Sequence, residues 1–377
     1  MNQVYITRIS KFLPNAPVSS EEIEDILGMV GNAPSKSKRL VLRSNGINTR
    51  YYALDKAGNI THTNAEMTAL AIRGLEDEAF HVKDAEVLCC GTSNADQLMP
   101  SHAAMVHGLL GEKPMETVAT SGICCSGMHA MKYGYLSVLA GNSSNAVCTG
   151  SELSSPALRA RYFENELISS EELKAAPILA FEKDFLRWML SDGAGAILLE
   201  NKPRKEISLK IEWIESISYA NEQEACMYAG AEKLENKELK GWMQYSPEEW
   251  LSRSVFSVKQ DVKLLEKNVV KYGAQKLAEI CKKRNIKATD FDYFLPHLSS
   301  YFFASKIEAE MLNRGLHIPA EKWFTNLSEV GNIGAASIYL ILENLFNSGR
   351  LKRGEKLLVM VPESGRFSYV FSYLTVV

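Results

Sequence analysis

Two hydrophobic periods alternate along the chain. Gln3–Ser10 and Ala85–Gly91 carry apolar residues in the short runs that suit strands, whereas Asn64–Phe80 and Met128–Ala140 space them along one helical face. This alternation predicts an α/β fold. Met128–Ala140 leads through a polar turn, Gly141-Asn-Ser-Ser-Asn145, into a short apolar strand, Ala146-Val-Cys-Thr149, that ends at Gly150-Ser-Glu152. The plan recurs later: Ala335–Phe346 reads as a helix, Asn347–Glu355 as a polar turn with basic residues, and Lys356–Val361 as a strand ending at Pro362-Glu-Ser-Gly365. Recurrence at this scale predicts an internal duplication. The boundary is expected after Ser191-Asp-Gly-Ala-Gly-Ala-Ile-Leu-Leu-Glu200, giving halves of 1–200 and 201–377. The stretch 221–250 mixes charges, aromatics and methionines without a period, and is expected to be an insertion that caps a site.

Composition narrows the function classes. A chain of 377 residues, 46% hydrophobic, buries a large core and exceeds the size at which single cores usually divide. The net charge of −3 gives no general attraction to nucleic acid or anionic membrane. Seven cysteines in so long a chain, two of them adjacent, make neither a disulfide framework nor a CxxC metal pair. A reducing cytoplasm and no metal are expected. The N-terminal stretch lacks a long apolar region, and no uninterrupted apolar run reaches spanning length, so a soluble protein is expected.

The candidate chemistry starts at Ser121-Gly-Ile-Cys-Cys-Ser-Gly-Met128, where Cys125 falls at the start of a helix. Unpaired backbone N–H groups and the positive end of the macrodipole stabilise a thiolate there, so its pKa is expected to fall. Gly127 allows another backbone close approach. A free cysteine is otherwise a small buried hydrophobe, but two further segments add an imidazole and an amide, each beside a turn. They are Leu295-Pro-His-Leu-Ser-Ser300 with His297, and Gly331-Asn-Ile-Gly-Ala-Ala-Ser337 with Asn332. Cys125 and Asn332 hold corresponding places in the two halves, each before a helix that feeds a buried strand.

At these residues the sequence resembles the thiolase superfamily, specifically its ketoacyl-acyl-carrier-protein synthase III branch. Cys125-Ser-Gly127, Pro296-His297 and Gly331-Asn332 through Ser337 stand in that family's order, and Asp192-Gly-Ala-Gly195 and Arg43-Ser-Asn-Gly-Ile47 extend the likeness. The resemblance implies a five-layered αβαβα fold of two similar halves. It implies that Cys125 receives an acyl group, and that His297 and Asn332 polarise the thioester carbonyl of a second substrate while a carbon–carbon bond forms. The N–H groups of Cys125 and Gly365 would then form the acyl oxyanion hole. It implies no cofactor beyond acyl thioesters on phosphopantetheine, and a homodimer whose contact lies near the strand ending at Glu152. A degradative thiolase would carry another cysteine near the C-terminus, and none follows Cys281. Asn332 stands where elongating synthases carry a second histidine, and the Gly-Phe-Gly-Pro-Gly-like loop of plant-type polyketide synthases is absent.

Two departures bear on substrate. Ser364-Gly-Arg-Phe367 replaces a run of three glycines, and a guanidinium lining the site needs a partner, for which Glu152 is the candidate. A Glu152–Arg366 pair beside Cys125 would supply proton transfer and hold an enolate; the alternative is that Arg366 points to solvent or closes a dimer contact. In these substitutions the chain is similar to ketosynthases that make dialkylcyclohexanediones, the precursors of dialkylresorcinols. Arg39-Leu-Val-Leu-Arg43 lacks the tryptophan that stacks coenzyme A in primary metabolism, which favours acyl carrier protein over free CoA thioesters. Arg43 and Lys306 are candidate carrier contacts. Cys124 is expected to pack, His129 lies one helical turn beyond Cys125, and Asp192 is expected to cap its glycine turn. The remaining readings are synthase III initiation with malonyl-carrier protein, acyl transfer to an alcohol or amine, and a non-catalytic partner subunit, against which Cys125, His297 and Asn332 together argue.

Overall fold

The computed structural model describes residues 2–32, 34–35, 38–162 and 185–377. One nine-stranded sheet runs through both halves. The strands are β1 (Tyr5–Phe12), β2 (Val87–Thr92), β3 (Glu116–Ser121), β4 (Asn145–Glu152), β5 (Gly193–Glu200), β6 (Leu209–Ser218), β7 (Tyr293–Pro296), β8 (Lys356–Glu363) and β9 (Ser368–Val376). Their order is β7-β8-β9-β6-β1-β5-β4-β2-β3. The duplication is visible in the pairing. In the first half β2 and β4 are parallel, β4 and β5 antiparallel, and β5 and β1 antiparallel. In the second, β7 and β8 are parallel, β8 and β9 antiparallel, and β9 and β6 antiparallel. β1 and β6 join the halves, and β3 is an extra edge strand in the first half.

Three apolar cores separate the layers. The outer core of the first half packs α1 (Asn64–Arg73) and α2 (His102–Leu110) on the sheet through Met67, Ile72 and Val106. The middle core holds α3 (Ser126–Ala140) and α6 (Ser337–Phe346), with Met128, Met131, Tyr339 and Leu342 against strands of both halves. The outer core of the second half carries α4 (Val262–Arg284) and α5 (Ala304–Asn313) through Leu265, Leu277, Ile307 and Met311. Helices alternate with the two halves of the sheet, which is the five-layered αβαβα arrangement.

Local sequence accounts for the elements. Thr63 and Glu66 make a reciprocal capping box that starts α1, and the helix ends at Arg73 before Gly74, short of the Phe80 expected from apolar spacing. Beyond it, Asp77 folds the chain back by accepting the Phe80 N–H. β4 and β5 are buried along nearly their whole length, which explains their small and apolar residues. The expected Ala335–Phe346 helix begins as a 3-10 turn at Gly334–Ala336 and becomes α-helical at Ser337. The stretch 221–250 holds a small hairpin, Ala231–Lys233 with Leu239–Gly241, and the start of a short helix, Pro247–Ser252. Trp242, Trp250 and Phe256 pack together beside it. Among the described residues no helix is long and apolar enough to cross a membrane.

Candidate active site

Two corresponding turns of the halves meet at the middle layer. Cys125 is the residue at which α3 begins, and Asn332 lies just before the 3-10 turn that leads into α6. The glycine two residues after Cys125 has a steric reason: a Cβ on Gly127 would sit 2.3 Å from the Ala335 carbonyl oxygen. The buried Tyr339 hydroxyl donates to the Gly127 carbonyl at 2.7 Å and fastens the same contact. The first half also anchors the second half's turn. The Asn332 N–H donates to Met189 O at 3.1 Å, and the Ser191 N–H donates to Asn332 O at 2.9 Å. Gly331, at φ 73°, occupies the left-handed region, with Ser191 and Arg50 closing on any added Cβ.

A cavity of about 540 Å³ opens over these turns, and His297, Asn332, Glu152, Cys124 and Glu363 are part of its wall. Much of the remaining lining is apolar, for example Leu158, Val269 and Phe303. Ala225, Met227, Tyr228 and Leu239, from the stretch expected to cap a site and its flank, also line it. His297 is placed by backbone pairing, its N–H donating to Met360 O at 2.8 Å. Its imidazole is buried, and neither ring nitrogen has a partner among the described residues. Burial pulls its pKa down to about 4, so the ring is neutral at working pH and keeps one N–H to donate. Asn332 Oδ1 accepts the Gly334 N–H at 3.0 Å, which fixes the amide and leaves its NH₂ as the donating end.

The cysteines differ from expectation. Cys125 is wholly buried, its thiol donates to Val361 O at 3.3 Å, and of the adjacent pair it is Cys124 that forms part of the cavity wall. The thiol pKa of Cys125 is raised, not lowered: burial is the largest cause and the Glu363 carboxylate the next. The helix start does offer N–H groups, but a carboxylate uses them. Glu363 Oε2 accepts the Ile123 N–H at 2.9 Å and the Cys125 N–H at 3.0 Å. The expected oxyanion donor on Cys125 is therefore occupied. Gly365 lies on the cavity wall, and its carbonyl accepts N–H bonds from Cys226 and Met227.

The expected Glu152–Arg366 pair is not formed. Arg366 is exposed and donates through Nε and Nη2 to the Gln223 carbonyl at 2.9 and 2.7 Å. Glu152 is buried, with Oε1 accepting the Ala335 N–H at 3.0 Å and the Ser93 N–H at 3.2 Å, and Oε2 accepting the Ser93 hydroxyl. Burial raises its pKa to about 7 against those stabilising bonds. Both residues line the cavity, but Glu152 holds the Asn332 turn in place.

Arg43 is exposed on the helix Lys38–Asn45, and Lys306 pairs with Glu266 over the Phe302 ring; neither is on the cavity wall. Asp192 does not cap its own glycine turn: its carboxylate accepts the N–H groups of Ala53, Ser154 and Ser155 and ties those two distant segments to the start of β5. His129 is half-buried and its pKa is lowered chiefly by burial. Among the described residues no cluster of His, Cys, Asp and Glu could hold a metal ion. Glu363 is the site residue that sequence reading missed. Its one signal was an acid closing an otherwise apolar strand.

Comparison with known proteins shows what the chain is similar to. Residues 281–366 match the family described as 3-oxoacyl-[acyl-carrier-protein] synthase III C terminal, and residues 41–205 match the beta-ketoacyl synthase N-terminal domain. The chain has the thiolase-like fold and is similar to synthase III enzymes. A beta-ketoacyl-[acyl-carrier-protein] synthase III of Clostridium perfringens is 26% identical over 93% of this chain and 92% of its own. Among solved structures, AbyA1, a tetronic acid condensing enzyme, aligns with a TM-score of 0.75 at 21% identity over 99% of each chain. The synthase III of Aquifex aeolicus aligns at 0.71 and 19% identity over 99% of each chain. A Xanthomonas campestris OleA variant with bound lauric acid and lauroyl-CoA aligns at 0.73 and 19% identity, covering 100% of this chain and 99% of its own.

Proposed function

We propose that this synthase III-like ketosynthase joins two acyl thioesters to a dialkylcyclohexanedione through two carbon–carbon bonds, one made by adding one substrate's carbanion to the β-carbon of an unsaturated acyl group and the other by a Claisen closure that releases the enzyme. Cys125 holds the first acyl group. His297 and Asn332 donate to the thioester carbonyl of the second, so that charge developing on its oxygen meets fixed donors. The observation that carries the reading is the neutral, unpartnered His297 facing the same cavity as the fixed Asn332 amide, with Cys125 at the start of α3 beneath Glu363. The apolar lining suits an acyl chain. Two buried carboxylates in the wall, Glu152 and Glu363, exceed what decarboxylative initiation requires, because loss of carbon dioxide itself generates the carbanion. AbyA1, a tetronic acid condensing enzyme with the same fold, is consistent with this view.

The curated synthase III relatives favour a second reading, initiation by condensation with malonyl-acyl carrier protein. Product analysis separates the two: initiation releases carbon dioxide and a linear 3-oxoacyl chain, whereas the proposed cyclisation yields a dione. An ester or amide product without a new carbon–carbon bond would instead identify acyl transfer to an alcohol or amine. The donors are acyl carrier protein or CoA thioesters, and the site requires no resident cofactor. A homodimer is proposed through β3, the edge strand of the first half, whose outer side is unpaired among the described residues and which is exposed along much of its length and runs into the Cys125 loop. The edge is thus β3 and not β4, which lies inside the sheet. Sedimentation at micromolar concentration should show a dimer, and a fully active monomer would remove the proposal.

A further inference from the structure

Glu363 stands in the place that an acyl oxygen would need. Its Oε2 takes both backbone donors of the Cys125 loop, Ile123 N–H and Cys125 N–H. Glycines flank the carboxylate on both sides: a Cβ on Gly122 would lie 3.3 Å from Oε2, and one on Gly365 would lie 3.4 Å from Oε1. Oε1 accepts no hydrogen bond among the described residues, although Glu363 is itself on the cavity wall. Glu152 differs, because both its oxygens are engaged by Ser93 and Ala335. Of the two buried carboxylates, Glu363 alone is free to meet a substrate, and it is the one bonded to the nucleophile's own backbone.

Resting on the condensing reading above, we infer that Glu363 is the base that creates the carbon nucleophile. The acyl oxygen of the Cys125 thioester displaces the carboxylate from the two N–H groups. The freed carboxylate takes an α-proton from the second acyl thioester, whose carbonyl oxygen is held by His297 and Asn332. That α-carbon attacks the Cys125 thioester, the new carbon–carbon bond forms, and the bond to Sγ breaks. The Glu363 carboxyl gives its proton to the departing thiolate and returns to the N–H groups. Atoms balance for this Claisen step: an acyl-cysteine and an acyl thioester become a 3-oxoacyl thioester and a free thiol, with no oxidant and no loss of carbon dioxide, and the same step closes the ring where the two chains are already joined through the β-carbon of an unsaturated acyl group. The substrate class follows, since the second substrate needs no carboxyl group to lose. The cost of taking the Cys125 N–H with a carboxylate in the free enzyme is a thiol held protonated until an acyl group arrives.

The test uses the full chain with the octanoyl thioester of N-acetylcysteamine, alone or with the corresponding malonyl thioester, in deuterium oxide. The parent should wash deuterium into the octanoyl α-carbon and form a 3-oxo product from octanoyl thioester alone. Glu363→Gln keeps the shape and an accepting oxygen. It should become acylated on Cys125 by intact mass, yet its octanoyl-only product should fall, relative to its malonyl-derived product, by a hundredfold or more. An unchanged ratio would overturn the inference. So would a parent that condenses with the malonyl thioester and gives neither α-exchange nor product from octanoyl thioester alone, a measurement that needs no variant. A parent that makes no carbon–carbon product from either donor would instead overturn the condensing reading itself.

Discussion

The carboxylate of Glu363 accepts the backbone N–H of Cys125 at 3.0 Å, across 238 positions of sequence. The contact couples the end of β8 in the second half to the nucleophile of the first. It also opposes ionisation of the thiol, after burial the larger cause. Alkylation of Cys125 by iodoacetamide, followed by peptide mass analysis, should therefore be slow at neutral pH and keep rising beyond the ordinary thiol range. Glu363→Gln should alkylate faster at each pH below the plateau. Cys124, His129 and Glu152 face the same region, and the substitution leaves them in place. Equal rates in parent and variant would show that Glu363 does not control the thiol.

His297 and Asn332 are expected to act after Cys125 is loaded. Alanine at either position should leave an acyl-enzyme that accumulates, with turnover reduced by about a hundredfold or more. Intact mass during turnover reads this directly. Normal turnover in both variants would remove them from the mechanism.

Glu152 and Arg366 line one cavity without touching. A double-mutant cycle of Glu152→Gln and Arg366→Ala, read by denaturant unfolding, should give a coupling energy within about 0.5 kcal/mol of zero. A coupling well above that would restore the pair.

The pH dependence of stability has opposite signs at two buried groups. His297 has a folded pKa depressed to about 4, so its contribution is present above its unfolded value of 6.5 and is lost as pH falls through 4. His102, depressed in the same way, acts in the same window. Glu152 has a folded pKa raised to about 7, so its contribution is present below 4.5 and is lost as pH rises through 7. The stability of Glu152→Gln relative to the parent should therefore climb between pH 4.5 and 7 and level off above it, by roughly 3 kcal/mol at the extreme. A difference that does not change with pH would mean that Glu152 titrates normally.

Gly127→Ala should cost about 1–3 kcal/mol, since the added Cβ meets the Ala335 carbonyl and the turn must shift. Because that turn follows Asn332, condensation should suffer more than acylation. Thermal unfolding and intact-mass acylation would separate the two effects.

Much of this site was legible in short stretches of sequence. The spacing Cys125-Ser-Gly127 and the Gly331-Asn332 turn each carry a local requirement, a close backbone approach or a left-handed residue, that limits which side chains fit, and His297 stands directly after the last residue of β7. The apolar periods likewise found the repeated helix and strand of each half. Glu363 was not legible, because what makes it important is a contact with a loop far away in sequence, and a strand's last residue does not announce which backbone it will meet. Arg366 was misread for a related reason. Phe367, at φ 60°, turns inward and is buried, while Arg366 before it lies on the exposed side and reaches Gln223. Side-chain direction in such a turn depends on a backbone conformation that a non-glycine sequence does not advertise. The thiol pKa was misjudged because the helix-start argument counts N–H donors without knowing that a carboxylate already fills them.

The central claim is that Cys125 carries the acyl group, even though Cys124 lines the cavity in the free protein. Intact-mass analysis of the parent, Cys125→Ala and Cys124→Ala after incubation with a panel of acyl thioesters tests it most directly. The account predicts an acyl adduct on the parent and on Cys124→Ala and none on Cys125→Ala. An adduct that persists in Cys125→Ala and vanishes in Cys124→Ala would contradict it.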